Sequence, residues 1–253
     1  VNLVVWQLSD ILANGKFITL FSMLFGAGVC IFIDNAKKNY GFYKLLHYRR
    51  SLILLAFGLL HSYFLWFGDI LFNYGLCALF LIFFIHIRPY YLCVIATIIL
   101  LLLLSSFVFF GFVLPYLPPE ELAIILQVWA PNNEQLQATV LAYQGTWSQQ
   151  MSARITMTNM MHTDNLAIVM MLTFSMMLVG IAFFRWKILS AQRSVRFYIN
   201  LFFFGFSIGL PLTYYANLYS FNHQWQLSAT MGVSMPMHLI ANIAMALAYI
   251  GII

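Results

Sequence analysis

Charge is scarce in this sequence. Only 8% of its 253 residues are charged, against about a quarter in a soluble domain. A water-facing surface cannot be made from so little, which excludes a soluble enzyme. Acids are rarer still, seven against twelve Lys and Arg. The resulting net charge of +5 is gathered in short loops between apolar runs, which is a topology signal and not a nucleic-acid footprint. Cysteine is nearly absent: Cys30, Cys77 and Cys93 lie in or beside apolar runs without paired spacing. That excludes a disulfide framework and a metal site and leaves them as small packing residues. Also missing are a glycine-rich phosphate loop with Lys, a paired-His zinc helix, a Gly-x-Ser-x-Gly elbow and a His-x4-Asp acyltransferase pair.

Apolar residues take the vacated places. They make up 63% of the chain, including 25 Phe, 14 Tyr and 6 Trp, and the mean hydropathy is +0.88. A bilayer crossing needs about 20 mostly apolar residues. About seven runs approach that: 17–33, 51–67, 69–87, 91–114, 165–184, 197–215 and 236–253. Lipid offers the backbone no hydrogen bonds, so each run is expected to be helical; none alternates as a barrel strand would. The expectation is an all-α, polytopic transmembrane helix bundle in one domain spanning 1–253. Its first residue is Val1 and its last apolar run stops at Ile253 without a closing loop, so both ends read as cut.

If the spans alternate, the basic loops 34–50, 88 and 185–196 share one side, the cytoplasmic one. Lys16 and Arg154 fall on the other, with Asp10, Asp69 and most of the acids. The long polar stretch 115–164 is then an outer-face insertion. Pro115, Pro118 and Pro119 end the helix before it. Asn132 and Asn133 open a surface helix in which Leu136, Val140 and Tyr143 share one face. A second short helix is expected around 149–161.

Ionisable groups within or beside the spans are the natural site candidates, because burying them is costly. His61 lies past the middle of the second run, and Asp69 follows at the turn into the third. Along a straight helix they would be about 12 Å apart, but Gly68 lets the chain fold back. Two readings stand. His61 and Asp69 form a pair, or His61 bonds a carbonyl while Asp69 caps the next helix. His162, His223 and His238 read as polar rim residues without ligand spacing, and His86 and Arg88 as headgroup anchors. Lys37, Lys38, Lys44, Arg49 and Arg50 could hold the phosphates of a coenzyme or lipid, although the positive-inside rule alone explains them.

The stretch FITLFSMLFGAGVCIF, the YRR of the first basic loop and LLAFGLLHSYFLWFGDILFNYGLCALF together resemble the YeiB-like family of bacterial inner-membrane proteins (domain of unknown function 418). AYQGTWSQQMSAR and MLVGIAFFRWKILSAQRSVRFY fit the same family, so the resemblance runs across about 17–215. Its patterned positions fall on Gly26, Gly28, Arg49, Arg50, His61, Gly68, Asp69, Tyr74, Gly145 and Arg154. Family members carry an additional helix, with an Arg-Gly pair and an Asn, before the region found here, and further helices after it. The family is similar to transmembrane acyltransferases. That implies transfer of an acyl group from acyl-CoA to a small-molecule or glycan acceptor near the outer side of the bilayer.

On that reading His61 is the general base and Asp69 orients its ring. Arg154 places an anionic acceptor or the developing charge, Tyr74 lines the substrate site, and Arg49 and Arg50 meet the coenzyme phosphates. The rival expectations are a small-metabolite transporter, which would use intramembrane charge and broken helices, and a structural membrane subunit.

Overall fold

A computed structural model of the protein describes residues 2–252. The helices are, in order, α1 (Leu3–Leu12), α2 (Lys16–Asn39), α3 (Tyr43–Phe64), α4 (Leu71–Leu81), α5 (Pro89–Val113), α6 (Pro119–Trp129), α7 (Asn133–Gln144), α8 (Trp147–Thr163), α9 (Leu166–Arg185), α10 (Val195–Asn222), α11 (Leu227–Ala229) and α12 (Met235–Ile250). A π-helical segment, Thr230–Ser234, joins α11 to α12. No strand occurs among the described residues.

Five segments are long and apolar enough to cross a membrane: Leu3–Asn39, Pro89–Tyr116, Leu166–Arg185, Val195–Asn222 and Leu227–Ile250. Of the about seven runs expected, these segments leave out two, 51–67 and 69–87. The first of these is part of α3, whose N-terminal half carries Lys44, His47, Arg49 and Arg50. The second holds only the eleven residues of α4, too few for a straight crossing. In the polar stretch 115–164 the two expected helices form, and α6 precedes them. Asn132 and Gln135 cap α7 reciprocally, each side chain bonding the other's amide at 2.8–2.9 Å.

The chain divides into two compact units. The first comprises Val1–Cys30, Ile85–Leu117 and Phe174–Ile253. Here α2 and α9 meet without intervening side chains. A Cβ on Gly26 would lie 2.1 Å from the Met177 carbonyl oxygen, and one on Gly180 would lie 1.9 Å from that of Met23. In lipid there is little hydrophobic drive between helices, so such close backbone contact supplies the attraction. Asp10 and Lys16, expected on the outer side, are buried between the end of α1 and the start of α2.

The second unit comprises Ile31–Phe84 and Pro118–Thr173. Its centre is the α3–α4 hairpin, closed by Gly58 against the Phe72 backbone and Gly75 against Leu55. Asn73 on α4 donates to Thr173 Oγ1 at 2.7 Å, and His47 Nε2 meets the Ala78 carbonyl at 2.8 Å. These bonds let polar side chains stay buried.

Candidate active site

The turn between α3 and α4 brings His61 and Asp69 together. His61 Nδ1 lies 2.9 Å from Asp69 Oδ1; the carboxylate is fully buried and the imidazole about a third exposed, at 32%. Neither atom has a hydrogen-bond partner elsewhere among the described residues. The approach is that of an ion-pair contact, and its alignment is not that of a hydrogen bond. Asp69 Oδ2 accepts from the Phe72 amide at 2.7 Å. One carboxylate thus serves both readings of the sequence, bonding the first turn of α4 with one oxygen and facing His61 with the other. The amide bond fixes the carboxylate, and the carboxylate in turn limits where the ring can go.

The last carbonyls of a helix have no partner within it, and α3 ends at Phe64 beside the site. The His61 carbonyl accepts from the amides of Leu65 and Trp66, each at 2.9 Å. Two of the other three are met by α8. Thr158 Oγ1 donates to the Ser62 carbonyl at 2.9 Å, and Arg154 Nη1 donates to that of Phe64 at 2.5 Å. A guanidinium at a helix C-terminus also favours the helix dipole. Tyr63 adds a hydroxyl bond to Asn159 Oδ1 at 2.7 Å. Arg154, expected at an acceptor, is thereby found holding the end of the helix that carries His61. Arg154→Gln should lower the unfolding free energy by about 1–3 kcal/mol, the worth of a charged hydrogen bond, measured as a fall in melting temperature.

His162 is the site residue that sequence reasoning missed. Its ring stacks on Phe72 at 4.2 Å, stands edge-on to Tyr63 at 6.0 Å, and senses the charge of Asp69. The signal was available: Arg154, Thr158 and His162 follow at intervals of four, one stripe of α8. Burial pushes the His162 pKa below its usual 6.5, while Asp69 pulls it back up. Because the folded value is lowered, the unfolded chain takes up this proton first as pH falls. The stability concerned is present above pH 6.5 and is lost on acidification through the folded value. His162→Gln should flatten the acid side of a melting-temperature profile taken between about pH 5 and 8.

The remaining candidates are spread out. Tyr74 is buried in α4, 6% exposed, beside Asn73. Arg49 and Arg50 line a groove of about 470 Å³ with Phe32, Tyr40 and Phe42, and the Arg50 guanidinium sits 4.7 Å from the centre of the Phe32 ring.

Known proteins add kinship without an activity. The chain is 35% identical over 97 residues to the uncharacterized protein YxaH of Bacillus subtilis (strain 168), covering 38% of this chain and 24% of that one. It is also 35% identical over 74 residues to the uncharacterized protein YeiB of Escherichia coli (strain K12), covering 29% and 17%. The match therefore spans a quarter or less of either relative's length. No family model matches the chain, and no solved structure matches it. What sequence and structure establish together is an all-helical protein with several membrane-length apolar helices, similar over part of its length to YxaH and YeiB.

Proposed function

We propose that this chain forms part of a membrane-embedded acyltransferase that passes an acyl group from acyl-CoA to a small acceptor. The observation that supports it is the 2.9 Å approach of His61 to a buried, amide-anchored Asp69. With Nδ1 facing the carboxylate, Nε2 is the nitrogen left to meet an acceptor. It takes the proton from an acceptor hydroxyl or amine as that atom attacks the thioester carbonyl. The tetrahedral adduct collapses, the C–S bond breaks, and the proton passes from His61 to the departing thiolate. Asp69 holds the ring and stabilises the imidazolium between these steps.

The groove at Arg49 and Arg50 suits the donor's phosphates, with Tyr40 and Phe42 beside it for the adenine ring. Arg50 and His61 are eleven residues apart on α3, about 16 Å along the axis, a distance that an extended pantetheine arm bridges. Arg154 keeps further N–H groups beyond its bond to Phe64 that suit an anionic acceptor. In this reading the protein sits in a bacterial cytoplasmic membrane, with 34–50, 88 and 185–196 inside and 115–164 outside. The test uses the protein in proteoliposomes with radiolabelled acetyl-CoA and a panel of amine, hydroxyl and glycan acceptors. Label transfer is expected; none with any donor or acceptor would abandon the reading.

A small-metabolite transporter is the second reading. It is favoured by the buried Asp10 and Lys16 in the first apolar segment and by the π-helical break before α12. Substrate uptake by the same proteoliposomes without acyl transfer would select it.

A further inference from the structure

A second polar cluster lies in the first unit, at the junction of α1 and α2. Asp10 is 7% exposed and Lys16 not at all. Lys16 Nζ donates to the Asp10 carbonyl at 2.6 Å. Asp10 Oδ1 accepts from Asn14 Nδ2 at 2.9 Å, and Oδ2 accepts from Asn217 Nδ2 at 2.9 Å. His238 lies within electrostatic reach of both Asp10 and Lys16. One negative and one positive charge cancel, so the cluster has no need of a counter-ion.

The carboxylate at its centre can take further donors. Asn217 is 3% exposed and serves the cluster as a donor to Asp10, outside the lining of the cavity described next. Each Asp10 oxygen accepts one of the bonds described above and has capacity for another. Asp10 forms part of the wall of an open cavity of about 340 Å³, with Trp6, Ser9, Ala13, Asn14 and Gly15. Edge contacts to Phe221 and Trp225, at 5.9 and 5.5 Å, fix the Trp6 indole. The wall therefore offers one flat apolar platform beside a carboxylate, an amide and a hydroxyl.

We propose that this cavity binds a neutral, hydroxyl-rich ligand of the monosaccharide or polyol class. Ring C–H groups lie on the Trp6 face, and hydroxyls donate to Asp10 and Asn14. An amine fits less well, because it adds a charge to a cluster that is already neutral. The site stands independently of the acyl-transfer reading, and binding is measured without an acyl donor.

The experiment uses the protein in phospholipid nanodiscs free of glycoside detergent. Glucose, galactose, N-acetylglucosamine and myo-inositol are titrated, with methylammonium as the charged comparator. The expected result is saturable binding of at least one of the four, with a Kd of about 1–10 mM. Trp6→Leu and Asn14→Ala should each weaken it about tenfold, the loss of a single good contact. Trp6→Leu leaves every bond to Asp10 in place and should melt within a few degrees of wild type, whereas Asn14→Ala also removes the bond to Asp10 Oδ1 and should melt lower. A glucosyl-diacylglycerol doped into the disc, set against free glucose, separates a lipid-borne from a soluble source. Absence of saturable binding to the folded protein, tighter binding of methylammonium, or full affinity in Trp6→Leu would each overturn the proposal.

Discussion

On the proposed acyl-transfer chemistry, His61→Ala should lower turnover by about 10²–10⁴-fold, the usual worth of a positioned general base. The KM for the acyl donor should stay close to wild type, because the ring acts on the acceptor's proton and not on donor binding. The fold should survive, since the imidazole is a third exposed and touches the protein's polar groups chiefly through Asp69. Asp69→Asn is the informative companion. Its amide oxygen can still accept from the Phe72 amide, so α4 keeps its first-turn bond while the charge facing His61 is gone. Turnover should fall there too, though less than in His61→Ala, with the melting temperature little changed. The decisive readout is single-turnover label transfer in proteoliposomes alongside a thermal melt. Wild-type transfer by a folded His61→Ala protein would remove His61 from the chemistry.

Gly58→Val should separate the pair without touching either member. A Cβ at Gly58 would lie 2.1 Å from the Phe72 amide nitrogen and 2.5 Å from its Cα, and backbone cannot swing aside as a side chain can. Gly58 stands one turn before His61, and Phe72 carries the amide that holds Asp69 Oδ2. Forcing α4 away from α3 therefore strains the anchor of the carboxylate as well as the helix contact. Overpacking of this kind costs about 3 kcal/mol or more when neither side can yield. We expect a large fall in melting temperature, and loss of transfer in whatever protein remains folded. Gly58→Ala should show a smaller version of both effects. Full stability and full transfer in Gly58→Val would mean that α3 and α4 do not pack through this glycine.

The residue types alone determined the solvent and the secondary structure. So little charge and so many apolar runs leave lipid as the surrounding medium, and lipid leaves only internally bonded backbone. Local signals were equally legible: Asn132 was readable as a cap because its partner stands three residues away. The span count of the sequence and the helices of the structure part where composition and length part. The run 69–87 is apolar throughout, yet its helix stops after Leu81, because average hydropathy does not register where the chain turns. Asp10 and Lys16 read only as outer-side charges, since only the tertiary structure supplies Asn217, 207 residues away from Asp10, to bond the carboxylate.

The site divides in the same way. His61 and Asp69 were candidates on chemical type, but whether the carboxylate capped a helix or met the ring could not be told from spacing. The fold let it do both, because a carboxylate has two oxygens and Gly58 brings α4 close enough for each to find its own partner. The stripe of Arg154, Thr158 and His162 was present in the sequence as a four-residue interval. Its meaning came only with α8 lying across the end of α3, where unpaired carbonyls needed donors.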